Sequence, residues 1–194
     1  MKKLNGLKKI NTAVFISGTG TNLKYLIKNS LKKNSIFKIN LIVSNNSKAK
    51  GLRYGKKFRI KKMVANYKNL KIAEQKILLC LNKDKIKLIC LAGFMKILSK
   101  NFIKKFKGKI LNIHPSLLPK YKGLNTHQRA IDNKDEYSGC SVHFVTSKLD
   151  SGKIILQKKV RIYKTDTSKS LSARILKQEH NLYSKAISKI SSNF

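Results

Sequence analysis

At 194 residues, 41% of them hydrophobic, the chain is long enough for one domain with a sizeable core. Its longest apolar runs, such as Leu88-Ile-Cys-Leu-Ala92, are too short to cross a bilayer. Lys and Arg number 44 against 8 acids, a formal charge of +36, and such a field attracts anions of every kind, nucleic acid included. The lysines are nevertheless scattered over nearly every predicted element. Lys, Ile and Asn are abundant together, as an AT-rich genome would produce, so dedicated nucleic-acid binding is not expected. Residues 1–11 read as a basic N-terminal extension without the apolar core of a signal peptide, and residues 12–194 as a single domain in the cytoplasm. Cys80, Cys90 and Cys140 are odd in number and widely spaced, which suits small buried hydrophobes. No Cys/His cluster has metal-ligand spacing, and no metal is expected.

In chain order, Thr12-Ala-Val-Phe-Ile16 predicts a strand. Ser17-Gly-Thr-Gly-Thr-Asn22 follows, then a helix with Leu23, Leu26, Ile27 and Leu31 on one stripe. Strand, Gly-rich turn, helix is an arrangement that holds a phosphate on backbone N–H groups. A third glycine and an acid after the second strand (Ile39 to Val43) are missing, so a single phosphate on a small ligand fits better than a dinucleotide. A short helix over Ala49 to Lys57 and a strand over Ile60 to Ala65 come next. The spacing of Ile72, Ile77, Leu78 and Leu81 predicts a helix over 70–81, and Ile86 to Ala92 a strand buried on both faces. Ser99 caps a predicted helix over 101–106, and Ile110 to Ile113 is the next strand.

β-α-β alternation of this kind predicts an α/β fold, a doubly wound, mostly parallel sheet with helices on both faces. Beyond it, Asn125 is expected to cap a short helix containing Gln128 to Ile131. Cys140 to Thr146 and Ile154 to Val160 alternate in character and read as adjacent strands of mixed direction. A long helix closes the chain from Ser168 to Ser191, with Ile175, Glu179, Leu182, Ala186 and Ile190 on one face.

The stretch Asn112-Ile-His-Pro-Ser-Leu-Leu-Pro-Lys-Tyr-Lys-Gly123 holds both prolines of the protein. Asn112 and His114, two apart at a strand end, project to one side of the pleat, and Pro115 and Pro119 stiffen the exit loop. Spacing alone divides this stretch evenly between a structural turn and a reactive loop. His127, His143 and His180 default to packed or surface residues. Asp150, in Leu149-Asp-Ser-Gly152, reads first as a turn former, whereas Glu179 interrupts the apolar stripe of the last helix, where a carboxylate is usually paired or faces a cleft. An Asn, a His and an Asp without a nucleophile or metal suggest group transfer through a tetrahedral intermediate.

These motifs, in this order, resemble the folate-dependent phosphoribosylglycinamide formyltransferases. The similarity rests on Ile16 to Asn22, Leu91 to Leu98, Asn112 to Gly123, Ser141 to Thr146, Leu149-Asp150 and Gln178-Glu179-His180. It implies formyl transfer from 10-formyltetrahydrofolate to the amine of 5-phosphoribosylglycinamide in purine synthesis, by a monomer or homodimer with small-molecule substrates and no membrane. Asn112, His114 and Asp150 are the implied catalytic residues. Gly20, Thr21, Asn22 and Glu179 would hold the ribonucleotide. Met95, Lys96, Ile97, Leu98, Asn112, Thr146, Ser147, Lys148, Leu149 and Asp150 would hold the folate. Where the family often carries a folate-contacting Arg, this chain has Asn69-Leu-Lys71. Lys71 would be a poor substitute, offering a point charge in place of a planar fork. Related formyl-handling enzymes share the Asn, His and Asp, and a hydrolase releasing formate is the neighbouring reading.

Overall fold

The computed structural model describes residues 9–193. The strands are β1 (Ile10–Ile16), β2 (Phe37–Ser44), β3 (Lys61–Val64), β4 (Leu88–Leu91), β5 (Lys109–His114), β6 (Tyr137–Phe144) and β7 (Ile154–Arg161). Among them run α1 (Thr21–Ser30), α2 (Arg53–Lys57), α3 (Leu70–Lys83), α4 (Lys100–Lys105), α5 (Thr126–Asp132) and α6 (Ser168–Lys189). Most of the predicted basic extension, residues 1–8, lies outside the described residues.

The seven strands form one sheet of order β3-β2-β1-β4-β5-β6-β7. β1 to β5 pair in parallel, and β6 and β7 join antiparallel. Alternation within the strands divides the core in two. Val14 and Ile16 turn to the face covered by Leu23, Leu26 and Ile27 of α1 and Ile175, Tyr183 and Ile187 of α6. Ala13 and Phe15 turn to the opposite face, under Ala73, Ile77 and Leu81 of α3 and Phe102 of α4. The doubly wound arrangement expected from the sequence is therefore present. From β1 the chain winds outward through β2 to β3, then returns to lay β4 on the other side of β1. That reversal opens a crevice at the carboxyl ends of β1 and β4, where open α/β sheets bind ligands.

Several local expectations change. Leu31 is 66% exposed because α1 ends at Ser30, one residue before the stripe would include it. Ile72 is also exposed; the buried face of α3 is Ala73, Glu74, Ile77 and Leu81, one residue out of phase with Ile72. The buried Glu74 accepts from Ser99 N at 2.8 Å and from its hydroxyl, tying α3 to the start of α4. Ser99 caps α4 as expected, accepting from Phe102 N. Asn125 precedes α5 but does not cap it: its backbone is left-handed (φ 57°) and its side chain makes no capping bond. Cys90 and Cys140 are buried, but Cys80 is only half-buried and its thiol lies against Asp84.

The long last helix is pinned to the sheet by Tyr183, whose buried hydroxyl lies 3.0 Å from both Leu91 O and Leu111 O, on neighbouring strands. One proton is shared between two acceptors immediately below the crevice. Tyr183→Phe is expected to cost about 1 kcal/mol, the net value of such a bond. The check is a lower urea midpoint with an unchanged denaturant slope.

Candidate active site

β5 delivers Asn112 and His114 to the carboxyl end of the sheet, with Asn112 directly opposite His143 of the antiparallel β6. His143 Nδ1 lies 2.8 Å from Phe144 O. A carbonyl only accepts, so that nitrogen carries the proton and Nε2 is left to accept. Asn112 Nδ2 stands 3.3 Å from His143 Nε2 and 3.4 Å from Asp150 Oδ1, two long hydrogen bonds. Asp150 Oδ2 lies 3.3 Å from His114 Nδ1 and accepts from Gly123 N at 2.9 Å. The other ring nitrogen of His114, Nε2, donates to Tyr121 O at 2.8 Å. By the same reasoning Nε2 holds the standing proton, and Nδ1, opposite the carboxylate, is the nitrogen that titrates.

These contacts settle the role of Asp150 in the fold. Its backbone is left-handed (φ 44°), as a turn former's would be, yet its carboxylate reaches into the crevice toward three other side chains. Burial works against its charge, but the adjacent ring of His143, the hydrogen bond from Gly123 N–H and the charge of His114 outweigh that and hold it below the usual carboxylate range. Burial also lowers His114, opposed by its bond to Tyr121 and by the charge of Asp150.

The loop from Pro115 to Gly123 is fastened from several sides. Ser141 Oγ donates to Ser116 O at 2.6 Å and accepts from Leu118 N, Gln157 Nε2 reaches Leu118 O at 2.9 Å, and Thr126 Oγ1 donates to Pro115 O at 2.8 Å.

The histidines and Asp150 open onto a cleft of about 930 Å³, within the range of small-molecule sites. Met95, Lys96, Ile97 and Leu98 line one wall, and Thr146, Ser147, Lys148, Leu149 and Asp150 another. Asn22 of α1 and Glu179 of α6 also line it, and Asn22 Nδ2 donates to Glu179 Oε2 at 2.7 Å. Both are buried, Asn22 Oδ1 has no partner, and burial raises the carboxyl of Glu179 although the Asn22 bond pulls it down. Gly20 and Thr21 lie just behind, at the start of α1. Gly20 is left-handed (φ 71°), and a Cβ there would stand 2.9 Å from Gly51 Cα, so the turn requires glycine. No side chain caps α1, so its first N–H groups remain available to an anion. Ser17 Oγ accepts from Met95 N at 2.7 Å, locking the β1 and β4 loops together.

Lys71 is not brought to this cleft. It lies on the first turn of α3 at a separate depression of about 310 Å³ beside Glu74 and Lys105. His143, by contrast, was expected to be merely packed and in fact bonds the centre. His127 of α5 also lines the cleft, with Nδ1 buried and unpartnered. Among the described residues no group of three or more His, Cys, Asp or Glu is placed to hold a metal, and no helix is long and apolar enough to span a membrane.

The chain is similar to known proteins over most of its length. The family model described as formyl transferase matches residues 10–187. Phosphoribosylglycinamide formyltransferase from Haemophilus influenzae is 44% identical over 180 residues, covering 91% of this chain and 84% of its own. The chain belongs to the phosphoribosylglycinamide formyltransferase family. The crystal structure of phosphoribosylglycinamide formyltransferase from Brucella melitensis superposes on this formyltransferase with a TM-score of 0.90 at 40% identity, covering 95% of this chain and 96% of that one. The trifunctional purine biosynthetic protein adenosine-3 of Homo sapiens is 42% identical over 188 residues, which cover 95% of this chain. The formyltransferase spans only 19% of that relative's length.

Proposed function

We propose that this formyltransferase moves the formyl group of 10-formyltetrahydrofolate to the amine of 5-phosphoribosylglycinamide. The convergence of Asn112, His114 and Asp150 in one cleft with Asn22 of α1 and Glu179 of α6 is the observation that carries the reading. A cleft with apolar walls at Met95, Ile97, Leu98 and Leu149 suits a pterin, and the uncapped start of α1 suits a phosphate. The folate supplies an electrophilic formyl carbon.

Asn112 Nδ2 has only long bonds to His143 and Asp150, so its N–H groups can turn to the oxyanion that forms when the amine adds. His114 takes the amine's proton on Nδ1, through water, and the resulting imidazolium adds positive charge beside the oxyanion. Asp150 stabilises that imidazolium, which returns the proton to the folate nitrogen as the oxyanion collapses and the bond between that nitrogen and the formyl carbon breaks, releasing tetrahydrofolate and the formylated amine. Amine attack is direct, with no covalent enzyme intermediate. The test is a coupled assay with both substrates. Formylated ribonucleotide as product supports the reading; formate released at the same rate without the amine would replace it with a hydrolase.

Glu179 gives a separate check on the ribonucleotide end. Its folded pKa is raised, so holding it ionised costs stability as pH climbs past its unfolded value near 4.3. Glu179→Gln keeps an acceptor for Asn22 and removes the charge. The free protein should then unfold about 2–4 °C higher at neutral pH, the size of ~1 kcal/mol in a domain of this length. Ribonucleotide KM should rise at least about 10-fold. An unchanged KM would remove Glu179 from the substrate site.

A further inference from the structure

Tyr121 is held at φ 54°, a left-handed conformation that bulky side chains rarely adopt. The segment that follows keeps it there. Its hydroxyl donates to Asp135 Oδ2 at 2.8 Å and accepts from Asn133 Nδ2 at 3.0 Å, and the guanidinium of Arg129 lies 5.1 Å over its ring. Lys120 Nζ holds the other carboxylate oxygen of Asp135 at 3.1 Å. Arg129 belongs to α5, and Asn133 and Asp135 to the turn that ends it.

What this grip secures lies at the other end of the residue. Tyr121 O receives the Nε2 proton of His114, and two residues later Gly123 N–H reaches Asp150 Oδ2. The ring of contacts is closed: Tyr121 carbonyl, His114, Asp150, Gly123 and back along the chain. Without the carbonyl, a neutral imidazole beside a carboxylate would move its proton to Nδ1 and donate it to Asp150. The titrating lone pair would then be on the wrong nitrogen. We propose that Tyr121, gripped by Asp135, Asn133 and Arg129, is a positioning residue that sets the tautomer of His114 and so keeps Nδ1 free to take a proton. This rests on the formyl-transfer reading only for its effect on rate.

The groups facing His114 are Asp150 from the loop after β6, His143 from β6, and Arg129 and His127 from α5. None of these is altered in Tyr121→Phe or Asp135→Asn. Each variant is expected to lose about 10-fold in kcat with KM for both substrates within about 2-fold. The midpoint of the pH–rate profile should move to lower pH, because the Tyr121 bond raises the His114 pKa. Nitrogen NMR of the His114 ring in the free protein reads the tautomer without any turnover. Wild type should show protonated Nε2 and bare Nδ1 at neutral pH, and both variants a shift of the proton toward Nδ1. A wild-type Nδ1–H tautomer, or variants that keep both the wild-type tautomer and the wild-type pH midpoint, would overturn the proposal. Absence of formyl transfer in wild type, with the tautomer shift intact, would remove the functional reading and leave this one standing.

Discussion

His114→Ala should lower kcat for formyl transfer by about 10³-fold while ribonucleotide affinity stays within about 2-fold of wild type. The split follows from where the contacts lie. His114 donates from Nε2 to Tyr121 O and turns Nδ1 toward Asp150, at the end of β5. The Asn22–Glu179 pair and the start of α1 belong to other elements and make no bond to His114. Alanine removes the proton acceptor and the positive charge that would form beside the oxyanion, and it leaves those groups untouched. Steady-state kinetics with calorimetric binding of the ribonucleotide check both halves. A kcat near wild type would end the assigned mechanism. A parallel loss of affinity would mean that the imidazole is part of the ribonucleotide site.

Asp150→Asn is isosteric and still offers an oxygen to Gly123 N–H, yet it should cost about 10² in kcat, because charge supports His114 more than shape does. Removing a carboxylate that raises the His114 pKa should also move the midpoint of the pH–rate profile to lower pH. Stability adds an independent sign. The folded pKa of Asp150 is depressed, so its contribution is fully present above the unfolded value near 3.9 and is lost as pH falls through the folded value. His114 is lowered as well, so the unfolded chain takes up its proton first and stability declines as pH drops below about 6.5. Asn at 150 abolishes the first loss and deepens the second. The variant's unfolding temperature should therefore fall faster than wild type's between about pH 6.5 and 5, and more slowly below about pH 4. Identical pH profiles for activity in the two proteins would return Asp150 to a turn-forming role.

How much of this the sequence disclosed depends on whether the relevant contact is local. The strand–turn–helix at Ile16 to Asn22 and the strand ending in Asn112 and His114 are local patterns, and both stand where their periodicity puts them. The pairing of Asn112 with His143 is a cross-strand contact between strands 31 residues apart. Within Ser141-Val-His-Phe, alternation marks only a residue pointing to one face, which is why His143 read as packing. Gln157, which with Ser141 fastens the loop after β5, carries no motif of its own. Lys71 shows the opposite failure. A position matched by order along the chain lies on α3 facing a different depression, because the chain returns across the sheet between α3 and β4. The out-of-phase residues Leu31 and Ile72 are errors of helix end and helix face, decided by packing and invisible to a hydrophobic count.

The placement of α6 has a bearing on how the protein comes into being. Residues from Leu171 to Ile190 cover one face of the sheet, packing on α1, β6 and β7, with Tyr183 reaching β4 and β5. Glu179, on α6, completes part of the cleft lining by bonding a residue 157 positions earlier. A chain emerging from the ribosome therefore has its first strands and α1 exposed while nearly all of the remaining sequence is made. Contacts of such sequence separation form late and slowly. That corner of the cleft cannot form until α6 has been made, so a chain that stops before α6 can hold the β1 loop and α1 yet cannot assemble the Asn22–Glu179 pair.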